Sequence, residues 1–397
     1  MSAAAGRGTL CIYAPYAYPL FTQGRVEFTG GAEVQQVAMA RGLAARGFTV
    51  HMVACDFGQA ARVEIDGVIV HRAYKPSDGV PVLRFFHPRL TSVVSALMAA
   101  DAEAYYVRGS GFPAGITFDV ARARHAAFVL GAAHDHDARR SLPLQTNARD
   151  RWWYRRALRG AWTVVAQTEF QRAMFTSEFG VSSEVIPNLV QFPEAAARVG
   201  GDGPVVWLAT YKPSKRPEWF TDLARRIPER RFVMGGVIPI PPDTLEAWEA
   251  ARRAAAACPN LEVRGFVDHD RIGELFHDAA LFVHTSPAEG FSNTMLEAWA
   301  HGVPSVTAVD PDGIVASERL GQVATDVDAM EAAIRRMLAD PDGRAAAGAR
   351  ARAYVARRHA PDEVLDRLAT LFDRVVADVR LRRGGGRPGG RDPGRRG

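Results

Sequence analysis

The run Leu10-Cys11-Ile12-Tyr13-Ala14, closed by Pro15, is uniformly apolar and reads as a buried strand. A loop carrying Gly24, Gly30 and Gly31 follows. From Ala32 to Arg46 the apolar residues Val34, Val37, Ala38, Leu43 and Ala44 fall at helical spacing, and Gly47 supplies a stop. Phe48-Thr49-Val50-His51-Met52-Val53 is then a second strand. Strand, helix and strand in this order make a βαβ unit, which requires a parallel sheet.

Outward from this unit the alternation continues. Ala104–Val107, Ala127–Leu130 and Thr163–Ala166 read as further strands of the first half. The segment from Phe192 to Pro204 holds Pro193, Gly200, Gly201 and Gly203 and reads as a linker. A second strand series follows at Val205–Leu208, Arg231–Met234, Leu261–Val263, Leu281–His284 and Ser305–Ala308, and an amphipathic helix runs from Asp362 to about Leu381. The pattern predicts an α/β protein of two doubly wound domains facing across a cleft, with ligands outside the carboxyl ends of the strands. The expected division is 1–190 for the first domain, 191–360 for the second, 361–382 for a closing helix and 383–397 for a disordered basic tail.

Composition bounds the function. The 397 residues suit two domains, and 47% hydrophobic with 23% charged residues is a soluble globular balance. The net charge of +5 invites a nucleic-acid reading, but seven arginines and one aspartate lie from Arg380 onward. That tail carries +6 and leaves the rest at −1, so the folded part is not basic and no nucleic-acid partner is expected. Cys11, Cys55 and Cys258 are an odd, scattered set without metal spacing, which fits a reduced compartment. No apolar run reaches the roughly 18 residues of a membrane span. Pro15 and Pro19 interrupt the first apolar run, so it does not read as a secretory leader. The expected location is the cytoplasm, with contact to the inner face of a membrane left open.

The most informative chemistry lies in Ser286–Pro304, a strand end, a tight turn at Gly290, a helix with Ser292 or Asn293 as cap, and a stop at Gly302. Glu289 sits in the turn, and Glu297 lies on the helix with seven residues between them. The free N–H groups at the helix start form an anion site suited to a diphosphate, with carboxylates placed to accept from hydroxyls.

This string, EGF-SNT-xLEA-xAxGxP, resembles the donor-binding signature of glycosyltransferase family 4, whose members have the GT-B fold. The resemblance implies a retaining, metal-independent glycosyltransferase without cofactor, its last helix crossing back to the first domain. It implies that Glu289 contacts the transferred sugar, that Glu297 grips the ribose, and that Gly290 and the Phe291, Ser292, Asn293 and Thr294 segment approach the pyrophosphate. Gly30 and Gly31, before the first helix, match a family loop that lets phosphate and acceptor approach. Trp207–Pro217 resembles the segment supplying basic residues to the diphosphate, with Lys215 on the family lysine and Lys212 and Arg216 beside it. Thr210 stands where the family has an arginine, so the second phosphate contact is left open. Phe266 and Val267, after Gly265, resemble the base-pocket loop, and Ile186-Pro187-Asn188 a hinge element.

His134-Asp135-His136-Asp137 follows the strand ending at Leu130. A sugar contact by His134 ranks first, a structural loop second and a metal site third. Gly109–Gly115 has one residue too many for a dinucleotide loop. Arg151–Arg159 reads as a packed helix with a solvated basic face rather than a membrane or nucleic-acid surface. The expected partners are a nucleotide-sugar donor and an acceptor that is a glycan, a lipid-linked glycan or a small molecule, with acceptor residues in the first domain, within 56–130 and around Arg108 and His136. The alternatives are a nucleotide-sugar 2-epimerase of the same fold and a noncatalytic nucleotide-sugar-binding protein.

Overall fold

The computed structural model describes residues 6–22, 30–78, 85–193, 202–238, 245–268 and 271–384. The first sheet contains β1 (Thr9–Tyr13), β2 (Thr49–Ala54), β3 (Arg62–Ile65), β4 (Val68–Arg72), β5 (Ala104–Arg108), β6 (Ala127–Gly131), β7 (Thr163–Ala166) and β8 (Ser183–Val185). Their order is β3-β4-β2-β1-β5-β6-β7-β8, and the pairings are parallel except for the β3–β4 hairpin. The second sheet contains β9 (Val205–Leu208), β10 (Phe232–Gly236), β11 (Leu261–Phe266), β12 (Leu281–His284), β13 (Ser305–Thr307) and β14 (Gly321–Val323). Its order is β11-β10-β9-β12-β13-β14, parallel throughout.

In both sheets the order reverses once, between β1 and β5 in the first and between β9 and β12 in the second. Crossover connections leave a crevice at such a point, because successive helices cover opposite faces there. The loop after β9 carries Lys215 and the loop after β12 carries Glu289, so topology alone brings these distant residues together.

Helices cover both faces of the first sheet. On one face the helix Gly31–Ala45 and the last helix, Pro361–Gly384, pack Val37, Leu43, Leu368, Phe372 and Val375 against Leu10, Ile12 and Val50. The last helix belongs to the chain after the second sheet yet is buried on the first. Its apolar side chains recur at Val364, Leu368, Leu371, Phe372, Val375 and Val379, one helical stripe. Each such side chain, fully buried, contributes about 1.5–3 kcal/mol. Arg46 fixes the crossing by bonding Asp362 and Asp366 at 2.9 and 2.7 Å.

One expectation needs correction. The last helix continues to Gly384, so Arg383 and Gly384 are helical rather than part of a tail; the Arg383 guanidinium donates to the Arg124 and His125 carbonyls and holds the final turn. The remaining tail, most of the linker and Gly24 lie outside the described residues. No helix among the described residues is long and apolar enough to cross a membrane.

Candidate functional site

The segment after β12 folds as its residues dictate. Ser292 is extended and its hydroxyl accepts from the Met295 N–H at 3.4 Å, capping the helix Asn293–Ala300. The hydroxyls of Ser292 and Thr294 lie 3.0 Å apart at this end. Met295, Leu296 and Trp299 are buried and anchor the helix, and the Trp299 indole donates to Ser305.

Glu289 bonds the Lys215 ammonium, and His284 Nε2 lies 3.6 Å from the same carboxylate oxygen. Burial pushes the Glu289 carboxyl up, but His284 and the Lys215 charge outweigh it and hold the group well below the usual carboxylate range. Lys215 ends a short turn, Pro213–Lys215, capped by Lys212, and the Lys215 carbonyl accepts from Thr285, which in turn accepts from the buried Trp207 indole. Two sequence-distant loops are thereby locked to one another. Arg216 adopts a left-handed backbone (φ 47°), and its guanidinium stacks 4.4 Å over Trp219.

Glu297 lines a wide cleft with Asn293, Gln35, Phe192, Arg271 and Ile272. Burial pushes its carboxyl up to about 8. Phe266 ends β11, and Val267 packs against Gly235 at the end of β10. Glu289 with Lys215 and His284 thus forms a tight cluster, whereas Glu297 stands on the open cleft wall.

The first domain meets this helix start directly. Asn293 donates to the Gly31 carbonyl at 2.9 Å and accepts from Asn188 and Gln35 at 2.8 and 3.3 Å. A Cβ on Gly31 would lie 2.6 Å from the Asn293 amide nitrogen, so any side chain there would push Asn293 off these bonds. Gly30 caps the first helix, and its N–H donates to Glu33. Asn188 also donates to the Phe291 carbonyl and accepts from Arg108 at 2.6 Å. The Phe291 N–H donates to Gln167 at 2.8 Å, so this amide is engaged by the first domain. Gly290 is equally tight, since a Cβ there would lie 2.6 Å from Gln171 Nε2.

The His134–Asp137 loop is built from inside. Asp137 accepts from the Ala133 and His134 N–H groups and from Ser110, and His134 Nδ1 accepts from the His136 N–H. The two imidazoles stack at 4.4 Å. Asp135 accepts from Gln171 at 2.9 Å. Among the described residues no three His, Cys, Asp or Glu side chains are grouped so as to hold a metal ion.

Sequence reasoning missed His284, Gln167 and Gln171 as neighbours of the signature loop. His284 ends β12 and Gln167 follows β7 directly, positions from which strands deliver side chains to a crevice. That position was the available signal.

A comparison by sequence with curated proteins returned no match. Among solved structures, the chain is similar in fold to sucrose-phosphate synthase from Thermosynechococcus elongatus, at TM-score 0.76 and 17% identity over 93% of this chain and 99% of that one. It is similar to Anabaena HepE at TM-score 0.70 and 17% identity, covering 92% and 99%. A glycosyltransferase from Rickettsia africae gives TM-score 0.66 and 13% identity, covering 93% and 98%. These likenesses are of the GT-B fold. The family models described as "Glycosyltransferase Family 4" and "Glycosyl transferases group 1" match residues 29–192 and 203–340, most of both halves. The chain belongs to the group 1, family 4 glycosyltransferases.

Proposed function

We propose that this protein transfers a hexose from a nucleoside diphosphate sugar to a hydroxyl acceptor, with retention at the anomeric carbon and without a divalent ion. The observation that carries the reading is the Glu289–Lys215–His284 cluster beside the Ser292-capped helix start, at the switch point of the second sheet. A nucleoside diphosphate leaves readily only if its growing negative charge is met by preorganised donors. Lys215, with Lys212 nearby, and the helix start supply them without a metal. Glu289, held ionised, accepts from sugar hydroxyls. Glu297 meets the ribose, Phe266 and Val267 line the base pocket, and His134 faces the transferred sugar from the first domain.

HepE has been solved with UDP-glucose, which supports a uridine donor for this chain. The acceptor is a glycan, a lipid-linked glycan or a small molecule bound by the first domain, and the enzyme works in the cytoplasm, at the inner face of the membrane if the acceptor is lipid-linked. The test is isothermal titration with UDP, GDP and ADP in EDTA, for the native chain and Glu297→Ala. The expected result is micromolar binding of one nucleotide, weakened by about 1–3 kcal/mol in the variant. No binding, or binding only with a divalent ion, would overturn the donor site.

A further inference from the structure

We propose that His301 reads the base of the donor nucleotide, its Nε2 accepting a hydrogen bond from a ring N–H that uracil and guanine carry and adenine lacks. The inference rests on the donor-site reading above and adds a specificity-determining residue to it. The helix Asn293–Ala300 buries Met295, Leu296, Ala298, Trp299 and Ala300. Asn293, Glu297 and His301 are only partly buried, and all three line the same wide cleft. Residues four apart stand one above another on a helix, and four residues rise about 6 Å. The parts of a nucleoside diphosphate succeed one another on that scale. With the diphosphate at the helix start by Asn293 and the ribose at Glu297, the next step along this face brings the base to His301. The neighbouring wall fits the same placement. Asp268, Arg271, Ile272 and Gly273 follow Phe266 and Val267, the proposed base-pocket residues, and line the cleft with His301.

Local contacts fix what the ring can do. His301 Nδ1 lies 2.8 Å from the Glu297 carbonyl oxygen, which only accepts, so Nδ1 carries the proton. Burial holds the imidazole below its ordinary pKa; the Glu297 carbonyl opposes this, and the charges of Arg352 and His277 add to it. The ring is therefore neutral near pH 7 and Nε2 is left as an acceptor. Among the described residues Nε2 has no hydrogen-bond partner. A Cβ on Gly273 would lie 3.3 Å from Nε2, so the glycine keeps this edge of the ring open to the cleft. Phe276 backs the imidazole, with ring centroids 5.6 Å apart. Uracil presents its N3–H to such an acceptor and guanine its N1–H. Adenine presents a bare ring nitrogen, whose lone pair would face that of Nε2. Two acceptors left facing one another in a part-buried site reject the wrong base more strongly than a lost apolar contact does.

The test is calorimetric titration of the full chain, Glu297→Ala, His301→Phe and His301→Gln with UDP, GDP and ADP. The native chain is also titrated with UDP methylated at N3 and GDP methylated at N1. It should bind UDP or GDP at least about tenfold more tightly than ADP, and methylation of the preferred base should weaken binding by about the same factor. His301→Phe keeps the packing on Phe276 and removes the acceptor, so it should bring the three nucleotides to within about threefold of one another. His301→Gln places an amide oxygen near the position of Nε2 and should keep the preference. A native chain that prefers ADP or tolerates the methyl group, a preference that survives in His301→Phe, or an equal loss in His301→Gln would each overturn the proposal. The methylated nucleotides decide it even if no variant folds. Binding of no nucleotide by the native chain would overturn the donor site and this inference together. Weakening of every nucleotide alike in Glu297→Ala, with the preference untouched in His301→Phe, would leave the donor site standing and overturn this inference alone.

Discussion

Phe291 donates its backbone N–H to Gln167 Oε1 at 2.8 Å, a bond from the donor-signature loop of the second domain to the strand end of the first. Gln167 Oε1 would also lie 2.8 Å from a Cβ on Gly290. The signature loop is thus docked on the first domain, and a donor that uses the Phe291 amide must displace the glutamine. Gln167→Leu keeps the bulk but strands the Phe291 N–H and the Ala132 carbonyl. It should cost about 1–3 kcal/mol in urea unfolding, the penalty of a buried polar group left without a partner. Amide exchange at Phe291 should quicken in parallel. Undiminished protection there would show that the loop is held by other contacts.

Lys215 bonds Glu289, and in the proposed reaction it also meets the diphosphate. Lys215→Met keeps the stem's packing and removes the charge. Donor cleavage should fall about a hundredfold or more, the scale of losing one preorganised donor to a developing anion. Lys215→Arg should not restore it, because a planar guanidinium does not reproduce a compact ammonium bonded to the part-buried Glu289. A loss of less than about fivefold in either variant would remove Lys215 from the machinery.

Much of this architecture is legible in the chain, and the exceptions have physical causes. Thr163–Ala166, Val205–Leu208 and Leu281–His284 are recovered to the residue, because strands buried on both faces are uniformly apolar. The β3–β4 hairpin escapes such a reading: Arg62-Val63-Glu64-Ile65 is short, alternating and half exposed. Its one local signal is the Asp66-Gly67 turn, where both residues take positive φ. Within the site, Glu289 and Lys215 are visible through the resemblance. The contacts of Gln167 and Asn188 with the signature helix span more than a hundred residues of sequence and leave no local trace.

Asp312 ties the domains together from the other side. Its two carboxylate oxygens accept from the Glu169 and Phe170 N–H groups at 2.8 Å each, at the start of the helix Glu169–Phe179. Thr168 already caps that helix through the Gln171 N–H, so the aspartate supplies the remaining charge-to-dipole attraction from a different domain. Asp312→Ala should cost about 1 kcal/mol, and more than Asp312→Asn, which keeps an acceptor and tolerates the left-handed backbone at φ 50°. Amide exchange at Glu169 and Phe170 should rise. Equal stability of both variants with the native chain would mean that the closed arrangement does not depend on this bond.

Glu297 gives the protein a stability profile that falls with pH. Its folded-state carboxyl is pushed up to about 8, against about 4.3 in an unfolded chain. Below about pH 4 both states hold the proton and the group contributes no pH dependence. Between about 4 and 8 the unfolded chain ionises while the folded one does not, so stability is lost as pH rises through the folded value, and above it the loss levels off. Glu297→Gln removes the titration while keeping the shape. It should come nearest the native chain at the acid end, by pH 5, and exceed it by about 1–3 kcal/mol at pH 9, a figure discounted for the side chain's partial access to the cleft. Urea unfolding at the two pH values reads the difference directly. A gap independent of pH would mean that Glu297 titrates in the same range folded and unfolded, and would place its charge in solvent rather than in the protein interior.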